Sequence, residues 1–283
     1  MGRCPPARES CSSTNSSRHT EGETDMYLSA ERVAVANNAI QRTFEQTCIA
    51  WQAIPQWDIG DPGAVEVRND VVDNPGYLTL GHAEEPFELT LAQIGAPTPD
   101  AVLTEVIAAT AKVAAKVDKA VIDELKAANV AANVELTATT ATVLQSALID
   151  ARVKLEDNGF RAPSCLLTNT VGLKAISALN NGYSLLELLL ESANINSLHR
   201  VSQLDAGDKI KMVLLGRRQR IAHGGAVDAS PGEEPVDIAV SMPPCLEIVG
   251  EVDDAKVRVG VRVRFATRVK DKNGIAGIVD EAP

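Results

Sequence analysis

The chain has 283 residues and a formal net charge of −11, and it is 45% hydrophobic but only 3% aromatic. So acidic a chain is a poor general binder of nucleic acid, because phosphate contacts need clustered Lys and Arg; acidity favours solubility, or keeps an inner surface from adhering to enclosed nucleic acid. The core has to be built from Ala, Val, Leu and Ile, in one large domain or two modest ones.

Residues 1–25 are rich in Ser, Thr, Arg, Glu and Pro and carry no hydrophobic period. They read as a disordered, dispensable segment, with no apolar core of the kind a signal peptide has. Two origins stand for it, a leader or an upstream start codon. From Met26 the pattern becomes amphipathic. Val33, Val35, Ala39, Ile40, Phe44 and Ile49 predict a helix within 29–50, and residues 26–55 form an N-terminal arm. Residues 56–93 follow as an extended stretch, punctuated by Asp61-Pro62-Gly63, Asn74-Pro75-Gly76 and Glu85-Pro86. Its alternating pairs, Val65 with Val67 and Phe87 with Leu89 and Leu91, have no evident partner within the chain.

A long uninterrupted helix comes next. Thr98 suits an N-cap, Pro99 the first helical position, and Asp100 and Glu105 the positive end of the dipole. Leu103, Val106, Ile107, Val113, Val117, Val121 and Leu125 recur at three- and four-residue steps. Roughly 28 residues of helix span about 42 Å. Beyond Thr137, helix and apolar strand alternate: a helix over 140–157, a strand over 164–169, helices over 170–179 and 184–192, and a strand over 210–215. These form a compact α/β lobe. A Gly- and Pro-bearing loop, 223–235, leads to three strands, 236–241, 245–251 and 255–269. In the last, Val257, Val259, Val261, Val263 and Phe265 share one face, and Arg258, Arg262, Arg264 and Arg268 the other.

Motifs that carry chemistry are missing from the sequence. It contains no nucleophile elbow, zinc-protease helix, phosphate loop, dinucleotide fingerprint or calcium loop. The four histidines lie far apart, and the five cysteines, Cys4, Cys11, Cys48, Cys165 and Cys245, form no metal-ligand or redox pair and read as buried or incidental thiols. A soluble α/β enzyme would need a convergent polar pocket. No catalytic, cofactor-binding or metal-binding residue is assigned, and no cofactor is expected. No apolar run approaches about 18 residues, so no membrane partner is expected. Two basic groups remain. Arg217, Arg218 and Arg220 sit in one short run, and Arg262 and Arg264 on the arginine face of the last strand. An arginine fork matches carboxylates at home or on a neighbouring subunit. Trp57, among turn-formers, reads as an interface anchor. With Phe87 and Leu89 of the extended stretch, these form the expected subunit-interface set.

The order of arm, extended loop, long helix, α/β lobe and returning strands resembles the major capsid proteins of tailed bacteriophages, whose fold encapsulin shells share. The stretches that carry it are PFELTLAQIGAPTPDAVLTE (86–105), LIDARVKLEDNGFRAPSCLLTNTVGLKAI (148–176), VDIAVSMPPCLEIVGE (236–251) and VRVGVRVRFATRVKDKNGIAGI (257–278). The resemblance implies an α+β chain of the Hong Kong phage-type fold. Residues 56–93 would be its E-loop, 94–133 with 236–283 the peripheral domain around a spine helix, and 134–235 the axial domain. It implies a non-enzymatic subunit that assembles with itself, as pentamers and hexamers, into an icosahedral head in a virion, after assembly in a bacterial cytoplasm. Packaged double-stranded DNA, a portal, and a separate scaffolding or decoration protein would be its partners. The alternative is an encapsulin-like compartment around a cargo enzyme. Encapsulins usually begin with an amphipathic helix, for which the sequence before residue 56 offers no clear match. Some relatives cross-link an E-loop lysine to a neighbour's asparagine; residues 56–93 contain no lysine.

Overall fold

The computed structural model describes residues 28–71, 74–128, 133–180, 182–205, 209–217 and 234–280. The readings of 1–25 as disordered and of 223–233 as a loop lie outside them. Chain order begins with α1 (Ala30–Thr47), capped by the Ser29 hydroxyl accepting from the Arg32 N–H, and α2 (Ile49–Ala53). Ala36, Ile40 and Phe44, four residues apart, make the buried stripe of α1. Phe44 meets Trp51 edge-on, with ring centroids 5.1 Å apart. Where one helix was expected over 29–50, the chain breaks at Cys48, which caps both helices.

Four strands follow: β1 (Gln56–Asp58), β2 (Glu66–Arg68), β3 (Tyr77–Thr79) and β4 (Gly81–Thr90). Thr90 and Gln93 exchange bonds as a capping box on the short α3 (Leu91–Ile94). The spine is α4 (Asp100–Ala128), 29 residues long. Its buried positions include Val102, Val106, Ala109, Val113, Ala114, Val117, Val121, Ile122 and Leu125. The early part of this face is turned by one residue from the sequence reading. Val102 is buried in place of Leu103, and Ile107 is 45% exposed. Ala109 and Ala114, small enough for close approach, complete the face that the larger residues alone misplace.

The second lobe contains β5 (Asn133–Leu136), α5 (Ala141–Asp157), β6 (Arg161–Thr168), α6 (Thr170–Ile176), β7 (Leu179–Asn180), β8 (Tyr183–Ser184), α7 (Leu186–Ser192), β9 (Ile195–Arg200) and β10 (Lys211–Arg217). The chain closes through β11 (Val236–Asp253), β12 (Lys256–Val269) and β13 (Ile275–Asp280). The two strands read over 236–241 and 245–251 are one. Pro243 and Pro244 do not end β11, because the register shifts there, between Met242 and Cys245, and a bulge accommodates residues that cannot donate to the ladder.

Two sheets result. The first has the order β1-β11-β12-β4, with β4 antiparallel to β12 from Phe265↔Gly81 to Lys256↔Thr90. Residues 81–90 therefore have a partner in their own chain after all. The second sheet has the order β5-β13-β10-β6-β9 and divides two cores. Cys165, Leu167, Val213, Leu215 and Ile275 face the core of α1, α4 and the first sheet. Leu166, Met212, Leu214, Ala276 and Ile278 face the core of α5. A sheet covered on both faces needs unbroken apolar strands, which is why 165–167 and 212–215 do not alternate.

Candidate subunit-interface surfaces

The alternation of β12 sorts the residues of the first sheet. Its valines and Phe265 point to the core, where α1 and α4 lie; its arginines line the outer face. Glu85 of β4 points inward, and hydrogen bonds from Lys116 and then Lys112 hold it below the ordinary carboxylate value. At the outer face Arg262 pairs with Glu247 at 2.7 Å, and Glu88 takes Lys256 and Arg258 at 3.2 and 3.4 Å. Lys256, then Arg258, holds Glu88 below its ordinary value. Arg264 donates to the Ala64 carbonyl at 3.4 Å. Arg262 and Arg264 line a cleft of about 140 Å³ with His82, Glu84 and Met242.

The other end of this face is covered by the β2–β3 hairpin. Val67 and Leu80 are buried there against Ala239 and Ala266, with Ile59, Ala64 and Leu78 partly buried around them. Beneath it lies a buried ionic cluster. Arg268 is held in a fork by Asp237 at 2.7 and 2.6 Å, and Lys270 adds 3.0 Å to the same carboxylate. Arg268 also reaches Asp70 at 2.5 Å and lies 4.4 Å from the Trp57 ring centroid. The alternation placed Arg268 beside the exposed arginines; the structure buries it. An arginine carries five donors in a rigid fork, so burial requires partners on several sides, and these come from 57, 70 and 237.

A second buried charge joins the arm to the spine. Asp118, 4% exposed on the apolar face of α4, accepts from the Ala50 N–H at 2.8 Å and from the Cys48 thiol at 3.3 Å. Burial raises the Asp118 pKa from 3.8, and burial followed by the Asp118 charge pushes the Cys48 thiol up. Cys165 is likewise raised by burial, against the lowering effect of a Ser197 hydrogen bond and the Arg217 charge. Cys48, Cys165 and Cys245 are all buried, and none of the three is in a disulfide.

The expected interface set disperses. Trp57 is 41% exposed, with Arg268 against its ring. Phe87 is partly buried against the first core, and Leu89 has no exposed surface at all. Leu89 is thus a core residue of its own subunit, corrected from a contact, because it faces inward opposite Val257. Arg217 ends β10 in the second sheet; Arg218 and Arg220 lie outside the described residues. Beyond that set, large apolar side chains lie exposed on two hairpins. Val65 and Tyr77 are 64% and 70% exposed on the first hairpin. Leu179, Tyr183 and Leu188 are 71%, 80% and 55% exposed on the β7–β8 hairpin and α7. The Gly182-Tyr183 step, a turn former followed by a large ring, was the available signal, absorbed by reading helices on both sides.

Among the described residues no group of three His, Cys, Asp or Glu is placed to hold a metal ion, and no helix is long and apolar enough to cross a membrane. No protein-family model matches the chain, and no curated protein matches it. Solved structures do. A virus-like particle from Pyrococcus furiosus is 15% identical, with a TM-score of 0.67 over 89% of this chain and 99% of that one. A phage-related protein from Bordetella bronchiseptica is 11% identical, with a TM-score of 0.61 over 87% and 95%. The holo-SrpI encapsulin complex from Synechococcus elongatus is 12% identical, with a TM-score of 0.53 over 84% and 89%. The spine helix, the paired cores and this likeness over most of the chain give one conclusion: the protein has the α+β, Hong Kong phage-type fold that phage capsids and encapsulin shells share.

Proposed function

We propose that this chain is the repeating subunit of a closed protein shell, and in the finer reading the major capsid protein of a phage-type head around double-stranded DNA. The observation that carries the proposal is the shared fold, together with large apolar side chains on two hairpins that the subunit leaves uncovered, Val65 and Tyr77 on one, Leu179 and Tyr183 on the other. Burying such side chains on a neighbour supplies association energy of about 25 cal/mol per Å² of apolar surface. In this reading residues 56–93 are the E-loop, 94–133 with 236–283 the peripheral domain, and 134–235 the axial domain. The two cores support that division, except that β13 completes the second sheet. The self-association expected of Arg217, Arg262 and Arg264 then concerns rims, not centres. The net charge of −11 supports an inner wall that does not adhere to enclosed DNA. A portal and a separate scaffolding or decoration protein belong to the same reading.

One observation favours the second reading, an encapsulin-like compartment. Ahead of residue 56, where the sequence offered no clear match to the encapsulin helix, the 18-residue α1 packs an apolar stripe against the spine, which supports this reading. Size-exclusion chromatography with light scattering, followed by negative-stain microscopy, tests both readings. Closed particles are expected, and a compact monomer under every salt and concentration would sink both. Particles purified from the source organism then separate them by content, DNA against a protein cargo.

A further inference from the structure

We propose that Arg268 is the positioning residue of the β2–β3 hairpin, setting the direction in which Val65 and Tyr77 are offered to a second copy of this chain. The offer to a second copy rests on the shell reading above; the grip itself does not. One guanidinium holds the arm at two places. Its Cζ lies over the ring of Trp57, 4.4 Å from the centroid, where the arm leaves the sheet. Its Nη1 donates to the Arg68 carbonyl at 3.3 Å and the Asp70 carboxylate at 2.5 Å, where the first hairpin strand ends. Its Nε and Nη2 are taken from behind by Asp237 of β11 at 2.7 and 2.6 Å. A planar fork held on one edge has no freedom to follow a moving partner, so the arm takes its orientation from the sheet.

The charges divide the work. Two cations, Arg268 and Lys270, meet two carboxylates, Asp237 and Asp70. Asp237 is buried and belongs to the sheet, whereas Asp70 is 48% exposed and belongs to the hairpin. Neutralising Asp70 therefore leaves Arg268 its buried fork and weakens only the hold on the arm, by removing the ionic contact. Asp70 also has φ +52°, the left-handed region, uncommon for a residue with a side chain. Its ion pair fixes a turn that the backbone alone does not favour. The remaining attachment of the hairpin is the packing of Val67 and Leu80 on Ala239 and Ala266, with Ile59, Ala64 and Leu78 around them, and the Arg264 hydrogen bond to the Ala64 carbonyl.

Hydrogen exchange on the unassembled full chain tests the grip, comparing the wild type with Asp70→Asn and, separately, Trp57→Leu. In both variants the hairpin amides of 66–69 and 76–80 should exchange about tenfold faster, the effect of losing one charge-assisted hydrogen bond or its equivalent. Protection of β11 and β12 should stay as in the wild type. Particle formation by light scattering should slow about tenfold in Asp70→Asn. Unchanged hairpin exchange would overturn the proposal, as would parallel loosening of β11 and β12, which would make Asp70 part of the core. A loosened hairpin with unchanged assembly would overturn its role toward a second copy. If the wild type forms no particles at all, the shell reading fails, and the exchange data still decide whether Arg268 grips the arm.

Discussion

Asp118 gives the sharpest test of how the arm is fastened to the spine. It is a carboxylate among Val113, Ala114, Val117, Val121 and Ile122, with the Ala50 N–H and the Cys48 thiol as donors. Asp118→Ala orphans both donors in a buried site. A buried N–H without a partner costs about 1–3 kcal/mol, and the weaker thiol adds less. Relief of the buried charge offsets part of this, so a net loss of about 2 kcal/mol is expected. Asp118→Asn keeps one acceptor oxygen and should lose less. The pH dependence has a definite sign. Because burial raises the folded-state pKa above 3.8, the folded chain binds the proton more tightly than the unfolded chain. Its contribution is therefore fully present below the unfolded value and is lost as pH rises through the raised one. Glu85, Glu88, Asp123 and Asp205 are shifted the opposite way and lose stability on acidification. The informative quantity is thus the difference between the wild type and Asp118→Asn, from urea unfolding of the unassembled chain between about pH 4 and about pH 7. That difference should shift in favour of the wild type as pH falls. A pH-independent difference, or an Asp118→Ala variant as stable as the wild type, would refute the argument.

Other outcomes follow from the same packing. Leu89→Ala should destabilise the unassembled subunit by about 2–5 kcal/mol in urea, as a fully buried leucine does; a change confined to assembly would mean Leu89 is an interface residue after all. Replacing Leu179 and Tyr183 by Ser should leave urea stability nearly unchanged, since both are mostly exposed, while blocking particle formation in light scattering. Assembly at wild-type yield would exclude that hairpin from the interface. Particles boiled in detergent with reductant should run as one band near 30.0 kDa. No lysine precedes Lys112, and Lys112 and Lys116 are engaged with Glu85 beside the spine. A covalent ladder would mean another nucleophile reacts.

Elements with local signals were legible in the amino-acid order. The spine helix was legible because its caps, its dipole charges and its apolar period agree over eight turns, and the predicted start near 98 lies within a turn of Asp100. The two faces of β12 were legible because strand alternation needs no knowledge of a partner. The shell-type architecture could be read from the order of such elements, and the structural likeness agrees with it. What covers each face depends on contacts between distant parts of the chain. Nothing local shows that residues 81–90 pair with 256–265, so Phe87 and Leu89 read as arm residues awaiting a neighbour when one is half in the core and the other wholly in it. Arg268 and Arg264 follow the same alternation, yet one is buried and the other is not, because the partners that neutralise Arg268 come from positions about 31 and 198 residues away along the chain. Asp118 looks like an ordinary helix carboxylate until α2 places its first N–H groups against it. Charge burial is a property of the assembled neighbourhood, and a single sequence records each partner without recording that they meet.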